Sequence, residues 1–330
     1  MKNFELKTFI DLFAGIGGFR IALESLGMEC VYTSEWDKFA QLTYSENFKE
    51  VPDGDITKVA EEDIPNHDVI CAGFPCQSFS VSGKQKGFED TRGTLFFDIV
   101  RIVKHHKPKV LFLENVKNFE RHDNGRTIQV VSRTLEKHGY NIFFKVLNSS
   151  HFSVPTRRER IYIVGFRNDL EIRNFEFPKP VSEPVKLRDF LQKDDKTKPY
   201  VINRTDVKWT KKRIKNDLFG NYPQKPIRIG TISNGGQGER IYSDLGHSIT
   251  LSAYGGGVAS KTGAYLINNK IRKLSPRECA RIMGFPNSYK IPVNDTQAYK
   301  QFGNSVVVPV IRSIMEKILQ SLKRKPKVTT

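Results

Sequence analysis

Short apolar strands alternate with helical patterns along the first half of the chain, and this alternation limits the fold more than any other feature. Residues 8–13 (TFIDLF) read as a buried strand, followed by a glycine turn at 14–18 and a helix from Phe19 to Leu26. Further strands are predicted at 30–35, 68–73 and 110–114, with helices at 37–47 and 95–105 between them. Strand–helix alternation requires crossover connections, so the expectation is an α/β fold with a doubly wound, mixed but mostly parallel, Rossmann-like sheet. Residues 141–147 and 160–166 read as strands suited to an antiparallel edge.

The pattern changes near residue 180, where Pro178, Pro180 and Pro184 punctuate a linker. Between 201 and 230 stand eight basic residues (Arg204, Lys208, Lys211, Lys212, Arg213, Lys215, Lys225 and Arg228) against two acids, Asp206 and Asp217. Two glycine-rich loops follow, at 234–238 and 254–257, among strand-like pieces such as Ser248–Leu251. We read this as a second, smaller, β-rich domain at 191–275. The first domain then spans 1–190 and is completed by 276–330. Helices are predicted at 277–283, with Pro276 at the start, and from Ser305 to Leu322, the latter packing back on the first domain.

The 330 residues carry 53 Lys and Arg against 36 Asp and Glu, a net charge of +17. Such an excess favours a polyanion as partner, nucleic acid above all. No apolar run approaches the ~18–20 residues needed to span a bilayer, and MKNFELKTF at the start lacks a secretory pattern. A cytoplasmic protein is expected. The four cysteines (Cys30, Cys71, Cys76 and Cys279) form no C-x-x-C pair and show no metal-ligand spacing with histidine, so no metal is expected.

Strand, glycine turn, helix, then an acid ending the next strand is a nucleotide-binding arrangement. Glu35 lies 20 residues after Gly15, suited to ribose hydroxyls. S-adenosylmethionine and NAD both present a ribose and are not separated at this level. Cys76 follows the strand at 68–73 and sits beside Pro75. A lone cysteine is most often a core thiol. Ligands of doubly wound sheets, however, bind at the carboxyl ends of strands, where Cys76 falls and Cys71 does not. Glu114 ends the next strand, where burial demands a partner, and a basic run, Arg157-Arg158-Glu159-Arg160, precedes another.

Six blocks in order, FAGIGGF (13–19), GFPCQSFS (73–80), ENVKNF (114–119), RRER (157–160), RKLSPRECARIMGFP (272–286) and QFGNSVVVPV (301–310), resemble the motifs of the DNA cytosine-5 methyltransferase family. The spacing, together with GGQGERIYS (235–243) and LSAYGGG (251–257), resembles the bacterial modification branch that methylates GCGC. The resemblance implies S-adenosyl-L-methionine as cofactor, double-stranded DNA as substrate and a cognate restriction endonuclease as functional partner. A monomer is expected, since one site handles one base.

Its catalytic residues would be Cys76, adding to carbon 6 of cytosine, Glu114, bonding ring N3 and the exocyclic amine, and Arg158 and Arg160 beside the base. Cofactor contacts would come from Phe13, Ala14, Gly15, Gly17, Gly18, Glu35, Trp36, Asp55, Ile56, Pro75, Leu95, Asn304, Ser305 and Val306. Glu35 and Asp55 would read ribose and adenine, with Phe13, Trp36 and Ile56 flanking the ring.

A base within a duplex must be flipped out to reach a thiol. Ser80, Ser82, Lys84 and Arg92 fall in a glycine-punctuated stretch read as a loop closing over DNA. Arg228, Gln237, Arg240, Thr250, Tyr254 and Gly257 complete the expected DNA contacts, with Gln237 filling the gap left by the base and Arg240 reading guanine. Three rival readings are an enzyme of the family's tRNA branch, a DNA-binding regulator without activity and an NAD-dependent dehydrogenase.

Overall fold

The computed structural model describes residues 5–75, 95–181, 184–210 and 223–323. Cys76, Ser80, Ser82, Lys84 and Arg92 lie outside them. The described elements form two sheets. The larger has six strands: β1 (Thr8–Leu12), β2 (Glu29–Ser34), β3 (Val69–Gly73), β4 (Val110–Val116), β5 (Tyr140–Asn148) and β6 (Glu159–Arg167), in spatial order β2-β1-β3-β4-β6-β5. The first four run parallel, while β6 is antiparallel to β4 and β5 antiparallel to β6. The expected mixed, mostly parallel sheet with an antiparallel edge is therefore present.

The central strands are apolar on both faces because helices cover both. In β3 (VICAG) the first four residues are buried, and β4 is buried from Val110 to Asn115, as parallel strands between two helical layers must be. Helices α1 (Gly18–Glu24), α2 (Lys38–Phe48), α3 (Leu95–His106) and α4 (Arg126–Lys137) connect these strands. Asp37 caps α2 by accepting from the amides of Phe39 and Ala40, which explains why the helix starts there.

The smaller sheet has five strands: β7 (Val207–Trp209), β8 (Arg228–Ile232), β9 (Arg240–Ser243), β10 (Ala264–Ile267) and β11 (Lys270–Arg272), in order β11-β10-β9-β8-β7. Ser248–Leu251 is not a strand. Its β-branched pattern yields a single bridge, Ser248 to Thr156. This segment instead ties the two parts of the molecule together, since the Ser248 amide donates to the Pro155 carbonyl at 2.6 Å and the Arg157 amide to the Ser248 carbonyl at 3.1 Å.

The chain then returns to the larger sheet through α5 (Pro276–Ile282), α6 (Asp295–Asn304) and α7 (Val308–Lys323). Ser275 and Glu278 form a capping box on α5, with Pro276 in its first turn. The long C-terminal helix starts at Val308, not Ser305, because Ser305 is extended and closes α6. The buried face of α7 (Val308, Ile311, Met315 and Ile318, with Ile314) shares a core with Phe19 and Leu23 of α1. Each such side chain contributes about 1.5–3 kcal/mol when fully buried, which fastens the C-terminal segment against the first glycine turn. No helix among the described residues is long and apolar enough to cross a membrane.

Candidate active site

The order β2-β1-β3-β4 reverses direction between β1 and β3, and ligands of open α/β sheets bind at that reversal. The strand ends there are level. Leu12 of β1 stands opposite Ser34 and Ala72, and Gly73 of β3 stands opposite Glu114. The first turn is therefore brought beside Glu35 and the approach to Cys76.

The turn from Phe13 to Gly18 is tightly wound, with positive φ at Phe13 (58°), Gly15 (57°) and Gly17 (77°). A Cβ on Gly17 would lie 2.3 Å from the Phe48 ring, and one on Gly18 2.6 Å from Cγ2 of Val306. Glycine at 18 thus lets Ser305 and Val306 close on the turn. The closure is reinforced from α2 and α6: Lys300 pairs with Asp37 at 2.7 Å, and Thr43 donates to Gln301 at 3.0 Å. The Glu35 carboxylate accepts from the Gly15 and Asp37 amides, both at 2.8 Å. Burial raises its pKa, and those amides oppose the rise.

Next to Glu35, Trp36 is 78% exposed, the most exposed large apolar side chain described. A bare indole and a buried, oriented carboxylate at one strand end fit an adenosine group. Phe13 is half-buried, Ala14 and Ile56 are buried, and Leu95 is half-buried at the start of α3. Asp55 caps the turn at 56–58, accepting from the Thr57 amide and hydroxyl. Pro75 is exposed and Asn304 stands at the exposed end of α6.

Glu114 is 7% exposed, with Arg160 Nε 3.1 Å from its Oε1. Burial raises its pKa, while Arg160 and Arg158 pull it back. Its Oε2 would lie 3.6 Å from a Cβ on Gly73, so the carboxyl sits over the end of β3. Arg158 is 3% exposed. Burial, and then Arg160, lower its pKa, while Glu114 favours its charge. Its Nη1 donates to the Leu251 carbonyl at 3.4 Å, but its Nε is buried without a partner among the described residues. An unsatisfied buried donor costs about 1–3 kcal/mol, and a catalytic role is one of the few reasons for which such a group is kept.

Asn115 is a member of this site that its residue type alone did not reveal. Its Nδ2 donates to the Phe74 carbonyl at 2.9 Å, holding the chain one residue before Pro75. A polar residue directly after Glu114 in a buried strand was the available signal. Asp11 was also missed: it is buried beneath the turn, its carboxyl oxygens have no hydrogen-bond partner within normal geometry among the described residues, and burial pushes its pKa well up.

Of the expected DNA contacts that are described, Arg228 and Arg240 lie on strands of the smaller sheet and Gln237, Thr250, Tyr254 and Gly257 in the segments between its strands. Gln237 lies in the turn joining β8 to β9, and Arg240 opens β9 opposite Thr231. The Nε of Arg240 is buried and unpaired among the described residues. A Cβ on Gly238 would lie 2.3 Å from the Gly256 carbonyl oxygen, so the two glycine loops meet backbone to backbone. The Gly238 carbonyl also accepts from Ala259 at 3.0 Å. Arg228 and Tyr254 are exposed, as is Gly257. The Thr250 hydroxyl donates to the Arg157 carbonyl, so it also braces the arginine cluster.

A doubly wound sheet with a glycine turn, a ribose-suited acid and a buried acid–guanidinium cluster on one rim defines a Rossmann-like, cofactor-dependent enzyme. The model of the C-5 cytosine-specific DNA methylases matches residues 7–320, and the chain belongs to that family. It is a DNA methyltransferase whose methyl donor is S-adenosylmethionine and whose substrate is double-stranded DNA. The Type II methyltransferase M.HhaI of Haemophilus parahaemolyticus is 58% identical over 318 residues, 96% of each chain. M.HpaII of Haemophilus parainfluenzae is 45% identical over 325 residues, 96% of this chain and 90% of that one. The S. pombe Dnmt2 methyltransferase structure has the same fold, with a TM-score of 0.71 at 20% identity over 97% of this chain and all of that one.

Proposed function

We propose that this chain methylates carbon 5 of a flipped-out cytosine in GCGC, as the modification half of a Type II restriction–modification system, with Cys76 as nucleophile. The observation that carries the site is the Glu114–Arg158–Arg160 cluster over the end of β3, beside the Phe74-Pro75 approach that Asn115 holds. The other cysteines support the choice of Cys76. Burial pushes the Cys30 thiol up to about 12, and those of Cys71 and Cys279 well above the ordinary range. Thiols so buried form little thiolate at neutral pH.

Phe13, the glycine turn, Glu35, Trp36, Asp55 and the 304–306 segment would hold the cofactor. Bound there, S-adenosylmethionine supplies an electrophilic methyl group. Carbon 5 of cytosine is too weak a nucleophile to take it unaided. The Cys76 thiolate adds at carbon 6, the ring accepts the electron pair, and carbon 5 becomes nucleophilic. Glu114, whose proton affinity burial raises, donates to N3 in its protonated form, and the Nε of Arg158, without a partner among the described residues, bonds the base. After transfer, loss of the carbon-5 proton returns the electrons and expels the thiolate.

The domain reading follows the two sheets: 1–190 with 276–330 for catalysis and cofactor, and 191–275 for target recognition. Gln237, Arg240, Arg228, Thr250, Tyr254 and Gly257, with Ser80, Ser82, Lys84 and Arg92 from the loop after the nucleophile, engage the DNA. The enzyme acts as a cytoplasmic monomer beside a cognate endonuclease. Bisulfite sequencing of plasmid from expressing cells tests the reading. Protection confined to the inner cytosine of GCGC supports it; protection elsewhere, or label from methyl donor entering tRNA alone, overturns it.

A further inference from the structure

Residues 201–230 contain only two acids, and one of them, Asp206, stands at the foot of the turn that carries Gln237. An acid there repels DNA phosphates, so electrostatics alone disfavours it. Its contacts supply another reason for its presence. Asp206 accepts two bonds from Arg204, Nε to Oδ1 at 2.8 Å and Nη2 to Oδ2 at 2.7 Å. The Ser233 hydroxyl donates to the same Oδ2 at 2.8 Å, and Arg204 Nη2 also lies 2.8 Å from that hydroxyl.

The strand register accounts for this meeting. Val207 of β7 pairs with Ile232 of β8, which sets Asp206 against Ser233, the first residue after β8. Ser233 has φ of 47°, in the left-handed region that a non-glycine residue rarely adopts. The chain reverses there into Asn234-Gly235-Gly236-Gln237. The other leg of the turn has its own anchors, Gly236 N to Glu239 Oε2 at 2.9 Å and Ala259 N to Gly238 O at 3.0 Å. Asp206 is the corresponding anchor on the entering leg. Both members of the Arg204–Asp206 pair are 40% exposed, so the pair adds little to global stability.

We propose that Asp206 is a positioning residue for target discrimination: it fixes Ser233 and the entering leg of the recognition turn, and it holds Arg204 away from indiscriminate phosphate binding. The proposal rests on the reading of 234–240 as the DNA-reading turn.

Two variants separate position from charge. Asp206→Asn removes a negative charge and releases Arg204. Ser233→Ala breaks the tie to the turn and leaves the charge unchanged. Each is assayed for kcat/KM on a GCGC duplex and on a duplex with one base pair replaced, at several salt concentrations, with S-adenosylmethionine affinity as a folding control.

Both variants should lose about tenfold in discrimination, the equivalent of one anchoring contact, with cofactor affinity unchanged. Asp206→Asn alone should bind non-specific DNA more tightly at low salt and steepen the salt dependence by about one ion. The double variant should lose no more discrimination than either single one.

Unchanged discrimination in Ser233→Ala, with only the salt slope moved in Asp206→Asn, overturns the proposal and makes Asp206 an ordinary surface charge. Arg240→Ala separates this failure from failure of the underlying reading. If Arg240→Ala keeps full discrimination, the turn does not read DNA and both ideas fall. If it loses discrimination while the Asp206 and Ser233 variants do not, only the anchor is wrong.

Discussion

Replacing Glu114 with Gln tests the acid–guanidinium cluster most sharply. The substitution preserves shape and leaves a carbonyl oxygen for Arg160, whose Nε lies 3.1 Å from Oε1 in the wild type. It removes the proton that Glu114 can give to the base, and the negative charge that faces two guanidinium groups. A charge-assisted hydrogen bond contributes about 1.5–3 kcal/mol and a neutral one about 0.5–1.5, so folding should weaken by about 1–2 kcal/mol. At about 2.1 cal/mol/K per residue, 330 residues give an unfolding entropy near 0.7 kcal/mol/K, and Tm should fall by only about 1.5–3 °C. The catalytic effect should be far larger. Loss of one preorganised donor to developing charge costs about 10²–10³ in kcat.

The pH dependence gives a second readout of the same variant. Burial raises the Glu114 pKa, so the folded enzyme keeps the carboxyl proton to a higher pH than an exposed glutamate does. That proton is lost as pH climbs through the raised value, so wild-type turnover should fall along an alkaline limb. The glutamine variant should lack that limb. Single-turnover methyl transfer from labelled cofactor, followed upward in pH from the ordinary glutamate value of 4.5, measures both effects. A folded variant with kcat within about threefold of wild type would refute the role given to Glu114.

Three further substitutions probe the cofactor turn and the recognition loops. Gly18→Ala places a Cβ 2.6 Å from Val306 Cγ2; overpacking of about 1–3 kcal/mol should displace 304–306 and weaken S-adenosylmethionine binding about tenfold or more by calorimetry. Unchanged cofactor affinity would remove that segment from the cofactor site. Asp11 has a folded pKa raised by burial, so the wild-type fold loses stability as pH rises from the unfolded value near 4 through the raised one. Asp11→Asn should lose that pH dependence, seen as a flatter urea midpoint between pH 4 and 8; parallel curves for the two proteins would contradict it. Gly238→Ala pushes a Cβ to 2.3 Å from the Gly256 carbonyl, and should lower specific DNA affinity by about tenfold or more in gel shifts without changing cofactor affinity; normal DNA binding would show the contact between the loops is dispensable.

The features legible in the sequence were those with a strong period or an obligatory residue type. Strands β1, β3 and β4 could be read because both their faces are buried, which makes each a continuous apolar run. The glycine turn was legible because no side chain fits at Gly17 or Gly18. Two helices, α4 and α6, escaped notice; six of the ten residues of α6 are polar and its buried side depends on contacts with α2. Ser248–Leu251 has the composition of a strand but spends its hydrogen bonds on Pro155 and Arg157, a choice set by distant partners. Glu114 was legible as a buried acid needing a partner. Which arginine supplies it was not: Arg158 and Arg160 stand two positions apart and both act on Glu114, yet Arg160 makes the ion pair while the Arg158 Nε has no partner among the described residues. Asp206 and Ser233 are 27 residues apart and meet only through the pairing of β7 with β8.

The central claim is that Cys76 bonds to carbon 6 of the target cytosine, and a trapped adduct tests it directly. A GCGC duplex whose inner cytosine carries fluorine at carbon 5 can accept the thiolate and the methyl group, but has no proton at that carbon to release. The thiolate then cannot be expelled, and the protein–DNA bond should persist through denaturation. Incubation with S-adenosylmethionine, proteolysis and mass spectrometry should place one modified nucleotide per protein on the peptide containing Cys76. A bond to Cys30, Cys71 or Cys279, or no stable adduct under conditions where unmodified GCGC is methylated, would contradict the account.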